Sequence, residues 1–200
     1  IAGDAATAMS GGPRIWTYDW DVPAGNDGTA TVTVAGDDVA GNAYAGSTSL
    51  VFTIDNTTPT VTLSKSGADL IVKDADTETI TATFNEDMTS APTITIAGDA
   101  ATAMSGGPRI WTYDWDVPAG NDGTATVTVA GDDVAGNAYA GSTSLVFTID
   151  NTTPTVTLSK SGADLIVKDA DTETITATFN EDMTSAPTIS IDLASGTDIS

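Results

Sequence analysis

The side chains best suited to chemistry in this sequence are carboxylates and carboxamides that follow stretches of alternating apolar residues. In the middle of the chain they are Asp55, Glu86, Asp87, Asp132, Asp133 and Asn137. Histidine and cysteine are absent, which removes the usual zinc ligands, the usual base at neutral pH and every thiol nucleophile. Hard oxygen ligands without His or Cys select calcium, which accepts irregular shells of about six to eight oxygens. These residues therefore predict a calcium site built from loops.

The sequence contains an internal repeat, which determines the architecture that must position these side chains. Residues 1–94 match residues 96–189 at every position, and Thr95 against Ser190 is the first difference. A fixed period of this kind dictates architecture more strongly than local composition does. The chain is therefore predicted to be a tandem array.

The segment Asp55–Pro59 is predicted to be the linker between repeats. It is polar up to its proline, and proline suits the first position of an edge strand because it lacks an amide donor. We place the domain boundaries at Asp55 and, one period later, at Asp150. The chain then contains the C-terminal half of a repeat (1–54), a complete repeat (55–149) and the N-terminal half of a further repeat (150–200).

Seven short stretches of the repeat alternate apolar and polar residues, which predicts half-buried strands. We predict strand A at 60–64, B at 79–84, C at 94–96, D at 101–105, E at 111–117, F at 125–129 and G at 145–149. Gly, Asn, Asp and Pro collect between these stretches, and none has helical periodicity. Seven strands with a Trp-rich central strand predict an all-β chain of immunoglobulin-like β-sandwiches, arranged end to end.

In such a sandwich successive loops alternate between two poles, because each strand reverses the direction of the one before it. The start of strand A and the B–C, D–E and F–G loops then share one pole, which collects the carboxylates named above. The preceding repeat brings Asp4 and Asp27 to the same joint from its far pole. The adjacent pairs Glu86–Asp87 and Asp132–Asp133 offer two choices of ligand each. A plainer interpretation stays open, in which these residues only form turns and keep the surface soluble.

Three segments of the repeat resemble a known family. Phe52–Pro59, Ile80–Asp87 and Asp133–Asn137 are similar to the bacterial Ig-like repeats of giant, RTX-like surface adhesins. The resemblance implies extender domains, often with calcium at the joints, in very large proteins exported by type I secretion and held at the cell surface. Carried over to this sequence, it implies the joint residues Asp55, Glu86, Asp133 and Asn137, with Asp150 and Glu181 at the next joint.

Composition excludes several other function classes. The formal charge is -22, from 28 acidic and six basic residues, so we expect no nucleic-acid partner. No apolar run approaches the roughly 18 residues of a membrane span, so we expect no membrane insertion. The acids lie in turns at the poles and not as a facing pair in a cleft, so we expect neither an enzyme nor a small-molecule substrate.

Two functions from different classes remain. The first is a structural extender that calcium stiffens at its joints and whose partners are neighbouring repeats. The second is an adhesive module that binds ice or a glycan through an exposed strand face, with Trp16, Tyr18 and Trp20, and the aromatic residues from Trp111 to Trp115, stacking on sugars. Their alternation with Thr and Asp predicts instead that these aromatic residues belong to the core. The two half repeats predict either completion by head-to-tail chains or a window on a continuous array.

Overall fold

A computed structural model describes residues 6–46, 48–120, 122–141, 143–163, 165–168 and 170–192. The chain divides into two compact units, Ile1–Asp150 and Asn151–Ser200. The regular structure of the described residues consists of β-strands, as the alternation predicts. Among these residues no helix is long and apolar enough to cross a bilayer. Asp4, predicted at the first joint, lies outside the described residues.

Residues 6–46 and 48–54, which we call the front segment, form two small antiparallel sheets. Its strands are β1 (Ser10–Gly11), β2 (Trp16–Thr17), β3 (Gly28–Thr33) and β4 (Ser49–Ile54). Strand β1 pairs with β2, and β3 pairs with β4.

The complete repeat forms a sandwich of two sheets. Its strands are β5 (Val61–Lys65), β6 (Ile71–Val72), β7 (Thr77–Phe84), β8 (Thr93–Ile96), β9 (Thr102–Ala103), β10 (Ser105–Gly106), β11 (Ile110–Asp116), β12 (Gly123–Ala130) and β13 (Leu145–Ile149). One sheet has the order β10-β11-β7-β5, and the other has the order β6-β13-β12-β8-β9. The described pairs are antiparallel except β6 beside β13, which run parallel. The all-β sandwich is therefore confirmed.

The core lies between these two sheets, because each long strand turns alternate side chains inward. Ile80, Ala82 and Phe84 of β7 are buried, and the intervening threonines point outward. Trp115 and Phe147 come from opposite sheets and meet with their ring centroids 5.2 Å apart. Such tilted aromatic contacts add to the free energy of area burial.

The short edge strands differ from the prediction. Predicted strand A corresponds to β5 alone, and the unpredicted β6 follows it in the other sheet, where the amide of Thr148 donates to the Leu70 carbonyl at 2.8 Å. Predicted strand D divides between the two sheets. The D region gives β9 and β10, on either side of the buried Met104. These short strands cover sheet edges, which otherwise expose unpaired backbone groups. The repeat thus has nine strands where seven are predicted.

The front segment places the same residues in a different environment. Trp16 is 52% exposed whereas its copy Trp111 is 8% exposed, and Phe52 is 41% exposed whereas Phe147 is fully buried. In the complete repeat, β5, β7 and β8 complete the sandwich around these faces, and no described strand does so in the front segment. Burial of the aromatic residues therefore depends on strands from the first half of a repeat.

The tight turn between β10 and β11 requires glycine at Gly106. Its φ is +133°, and an added Cβ would lie 2.4 Å from the carbonyl oxygen of Ile110. Gly123 has a similar φ of +139° with nothing within 4 Å of such a Cβ, so it is a matched control. We expect Gly106→Ala to lower the free energy of unfolding by about 2 to 5 kcal/mol and Gly123→Ala by about 1 to 3 kcal/mol. Equal losses in urea denaturation would contradict the clash.

The second unit repeats the start of the sandwich. Its strands β14 (Val156–Lys160) and β15 (Ile175–Phe179) pair antiparallel. Their register matches that of β5 with β7, since Val156 faces Phe179 as Val61 faces Phe84.

Candidate metal centre

Three carboxylates from separate parts of the complete repeat meet beside the start of β5. One oxygen each of Asp55, Glu86 and Asp133 lies within 4.8 Å of the other two, and we call this group the three-carboxylate cluster. Asp133 is 1% exposed, while Asp55 and Glu86 are half-buried. In the part of the chain that the structure describes, no other group of three His, Cys, Asp or Glu side chains is this close.

Backbone hydrogen bonds between the B–C and F–G loops bring the cluster together. The amide of Thr89 donates to the carbonyl of Asp132 at 3.0 Å, and the amide of Val134 donates to the carbonyl of Asp87 at 3.2 Å. The two loops therefore pair much as neighbouring strands do. This pairing fixes the position of Glu86 in one loop relative to Asp133 in the other.

Asn137 holds the most buried carboxylate of the cluster. Its backbone amide donates to Oδ1 of Asp133 at 2.8 Å, and its side-chain amide donates to Oδ2 at 2.9 Å. Burial raises the pKa of Asp133, but the hydrogen bonds from Asn137, Gly136 and Ala135 outweigh it, so that this pKa lies below its ordinary value. The Asn137 side-chain amide also donates to the Asp55 carbonyl at 3.1 Å, which attaches the linker to the F–G loop.

The linker carries its own hydrogen bonds. The Thr57 amide donates to Oδ1 of Asp55 at 3.1 Å, a local contact that orients this carboxylate. Asp27 of the front segment accepts from the Asn56 amide at 2.7 Å and from the Thr57 hydroxyl. The Thr57 hydroxyl and then the Asn56 amide lower the pKa of Asp27. The linker is therefore in contact with residues on both sides of it in the sequence.

The donor set of the three-carboxylate cluster fits a hard divalent cation. Its ligand atoms are oxygens, and three carboxylates can supply up to about six of them, with backbone oxygens and water for the rest. Each carboxylate oxygen accepts more than one contact, so the bonds from Asn137 leave room for a cation. Three negative charges within 4.8 Å repel one another, and a cation among them would relieve that repulsion.

The sequence profile of the bacterial Ig-like domain (group 3) matches residues 14–108 and 109–200. The chain belongs to this bacterial Ig-like domain family. The predicted Ig-like tandem repeat is thereby confirmed. No curated protein matches the chain. Bacterial Ig-like domains are typically non-enzymatic and are typically extracellular or surface-exposed.

The two matches begin one repeat period apart, in the loop before the Trp-rich strand. Their limits differ from the compact unit, which ends at Asp150. The boundaries placed at Asp55 and Asp150 stay a prediction.

Two predicted ligands, Asp87 and Asp132, lie outside the three-carboxylate cluster. Asp87 pairs with Arg109, whose Nε lies 2.6 Å from its Oδ1, and about half of each side chain is exposed. Asp132 contributes its backbone to the loop pairing, and its side chain is exposed. Of the two choices in each acidic pair, the structure therefore brings Glu86 and Asp133 to the cluster.

The remaining predicted joint residues lie elsewhere. Asp27 contacts the linker and is not a member of the cluster. Asp150 and Glu181 fall in different compact units. The Asp150 amide donates to the carbonyl of Val72 at 2.9 Å, and the Glu181 side chain accepts from Asn180 at 3.1 Å.

Sequence reasoning missed two residues beside the cluster. Asn85 accepts from the Thr60 amide at 2.6 Å and donates to Oε1 of Glu86 at 3.0 Å, so it connects the B–C loop to the start of β5. An Asx residue directly after a strand is a signal for such a bond. Arg109 was missed although it is the arginine of this repeat and lies in the D–E loop, which the alternation of poles places at the same end.

Proposed function

We propose that the chain is part of the extender region of a large bacterial surface adhesin, with calcium ions fixing the linkers between its repeats. Tandem bacterial Ig-like domains act as structural or adhesive modules. The observation that carries the structural role is the three-carboxylate cluster, because it joins Asp55 of the linker to two loops of the following repeat.

A cation at this position would act on the linker directly. Asp55 lies at the start of the linker, whereas Glu86 and Asp133 belong to loops of the complete repeat that are already paired with each other. Binding all three would remove rotations of the linker backbone that otherwise let neighbouring repeats move. Strands of about eight residues at roughly 3.3 Å each, with their loops, give about 40 Å of length per repeat. If the joints are stiff, the lengths of successive repeats add, and the array extends further from the cell surface.

An adhesive role for the repeat has less support. Trp111 and Trp115 are 8% and 6% exposed, so the complete repeat does not offer their rings for stacking on a sugar. The outward threonines of the strands suit any solvated sheet face and do not by themselves point to ice or a glycan.

Neighbouring repeats of the same chain are the partners that this proposal requires, and the bacterial cell surface is the place where it would operate. Identical copies suit the role, because reach depends on the number of repeats and no repeat needs a ligand of its own. Completion of the half repeats by head-to-tail chains stays a prediction.

Solution scattering with calcium and with EDTA tests the proposal. We expect calcium to increase the maximum dimension of the wild-type chain and to sharpen its scattering profile towards that of a rigid particle. Asp133→Asn, which removes one charge of the cluster, is expected to abolish this response.

Asp38→Asn is the matched control. Asp38 occupies the same loop of the front segment and accepts the same bonds from Asn42, both at 2.8 Å. It belongs to no described cluster of three carboxylates, so this variant should respond to calcium as the wild type does. A wild-type chain whose scattering is the same in calcium and EDTA would contradict the proposal.

A further inference from the structure

The linker makes two sets of hydrogen bonds, one to residues that precede it in the sequence and one to residues that follow it. Asp55 is bonded forward, through its carbonyl, to the side chain of Asn137 at 3.1 Å. Asn56 and Thr57 are bonded backward, to the two carboxylate oxygens of Asp27. The side chain of Asn56 also reaches the Asn26 carbonyl at 3.5 Å.

The backward contacts bear on the direction of the Asp55 carboxylate. The Thr57 amide donates to Oδ1 of Asp55 while the Thr57 hydroxyl donates to Asp27. Asn56 lies between the two, and its amide also donates to Asp27 at 2.7 Å. These three bonds restrain rotation of the backbone at residues 55–57.

We propose that Asp27 is a positioning residue for the calcium site, so that contact with the preceding repeat raises the calcium affinity of the following one. The inference rests on the proposed function. Asp27 fixes Asn56 and Thr57, and these residues hold Asp55 where Glu86 and Asp133 can share a cation with it.

The physical basis is pre-organisation. A linker that is already ordered loses little conformational entropy when the cation binds. The binding free energy is therefore more favourable than for a flexible linker. Coupling between two binding events is reciprocal, so calcium must strengthen the Asp27 contact by the same factor. The Thr57 hydroxyl and then the Asn56 amide lower the pKa of Asp27, in keeping with the two hydrogen bonds that its carboxylate accepts.

The negative charge of Asp27 would by itself raise the calcium affinity of a nearby site. A matched variant separates this charge effect from the positioning of the linker. Asp19 lines the same concavity of the front segment as Asp27, and within the described part of the chain it makes no hydrogen bond to Asn56 or Thr57. Asp19→Ala removes the same charge as Asp27→Ala and leaves the bonds of Asn56 and Thr57 in place. Asp27→Asn keeps an oxygen that can accept from the Asn56 amide and tests for rescue.

The experiment is a calcium titration of the 200-residue chain by NMR, following the Asn137 amide, which donates to Asp133 of the cluster. We expect Asp27→Ala to raise the Kd about fivefold to tenfold, in the usual range of coupling between sites. Asp19→Ala should change it less than about twofold, as expected for a screened charge. Asp27→Asn should lie between the wild type and Asp27→Ala.

Hydrogen exchange of the Asn56 amide in EDTA is a second measurement that needs no calcium. Loss of its acceptor in Asp27→Ala should speed exchange about tenfold, and Asp19→Ala should leave it unchanged. A Kd for Asp27→Ala equal to that of the wild type, or unchanged Asn56 exchange, would overturn the inference while leaving the proposed function intact. A wild-type chain that binds no calcium would overturn both.

Discussion

Replacing Phe147 by alanine is expected to lower the free energy of unfolding of the complete repeat by about 3 to 5 kcal/mol. Phe147 is fully buried in β13, and its ring meets Trp115 of the opposite sheet at 5.2 Å. Removing the ring leaves a cavity between two sheets whose backbones are held by their own hydrogen bonds, so the site cannot collapse fully. Urea denaturation followed by tryptophan fluorescence measures the loss.

The repeat supplies the control for this variant within the same molecule. Phe52 has the same sequence neighbours and contacts Trp20 at 5.5 Å, but it is 41% exposed. Phe52→Ala should therefore cost less than about 1.5 kcal/mol, since less apolar area leaves water at this position. If Phe147→Ala and Phe52→Ala lowered the free energy of unfolding equally, the different burial of these two side chains would be contradicted.

Removing calcium is expected to lower the melting temperature of the complete repeat by about 10 to 20 °C. With a Kd of about 10⁻⁴ M, typical of weaker extracellular calcium sites, about 10 mM calcium adds roughly 2.7 kcal/mol by mass action. In a domain of this size, each kcal/mol moves the melting temperature by about 4 to 8 °C. Calorimetry in calcium and in EDTA measures the shift.

The high negative charge of the chain makes a salt control necessary. A charge of -22 is screened by any added cation, which stabilises the fold without a specific site. Sodium chloride at matched ionic strength should therefore give only a small part of the shift. Asp133→Asn should reduce the calcium response to that background. An equal shift with sodium chloride would contradict a site at the three-carboxylate cluster.

The longer strands could be predicted from sequence because burial imposes a period of two on them. In β7 the alternation of Ile80, Ala82 and Phe84 with threonine matches the buried and exposed faces. Strand β6 was missed because its two residues, Ile71 and Val72, are too few to show any period. Short edge strands are set by the sheet that they join and not by their own sequence.

The candidate site was predictable in part for a related reason. The alternation of strand directions placed the linker, the B–C loop and the F–G loop at one pole, and the structure brings Asp55, Glu86 and Asp133 together there. The choice between Glu86 and Asp87 could not be made from sequence, because loop residues follow no fixed period. The ion pair between Asp87 and Arg109 depends on the D–E loop, which lies more than twenty residues further along the chain.

The parallel pairing of β6 with β13 determines how the complete repeat would resist a pulling force. Tension applied at Asp55 would act on β5 first and through it on β6, while tension at Asp150 would act on β13, so that β6 and β13 would be drawn in opposite directions along their lengths. The bonds from Thr148 to Leu70 and from Asp150 to Val72 would then be loaded in shear and would share the force, whereas a hairpin pulled from its open end breaks one bond at a time. The repeat would therefore yield abruptly and not by gradual unzipping.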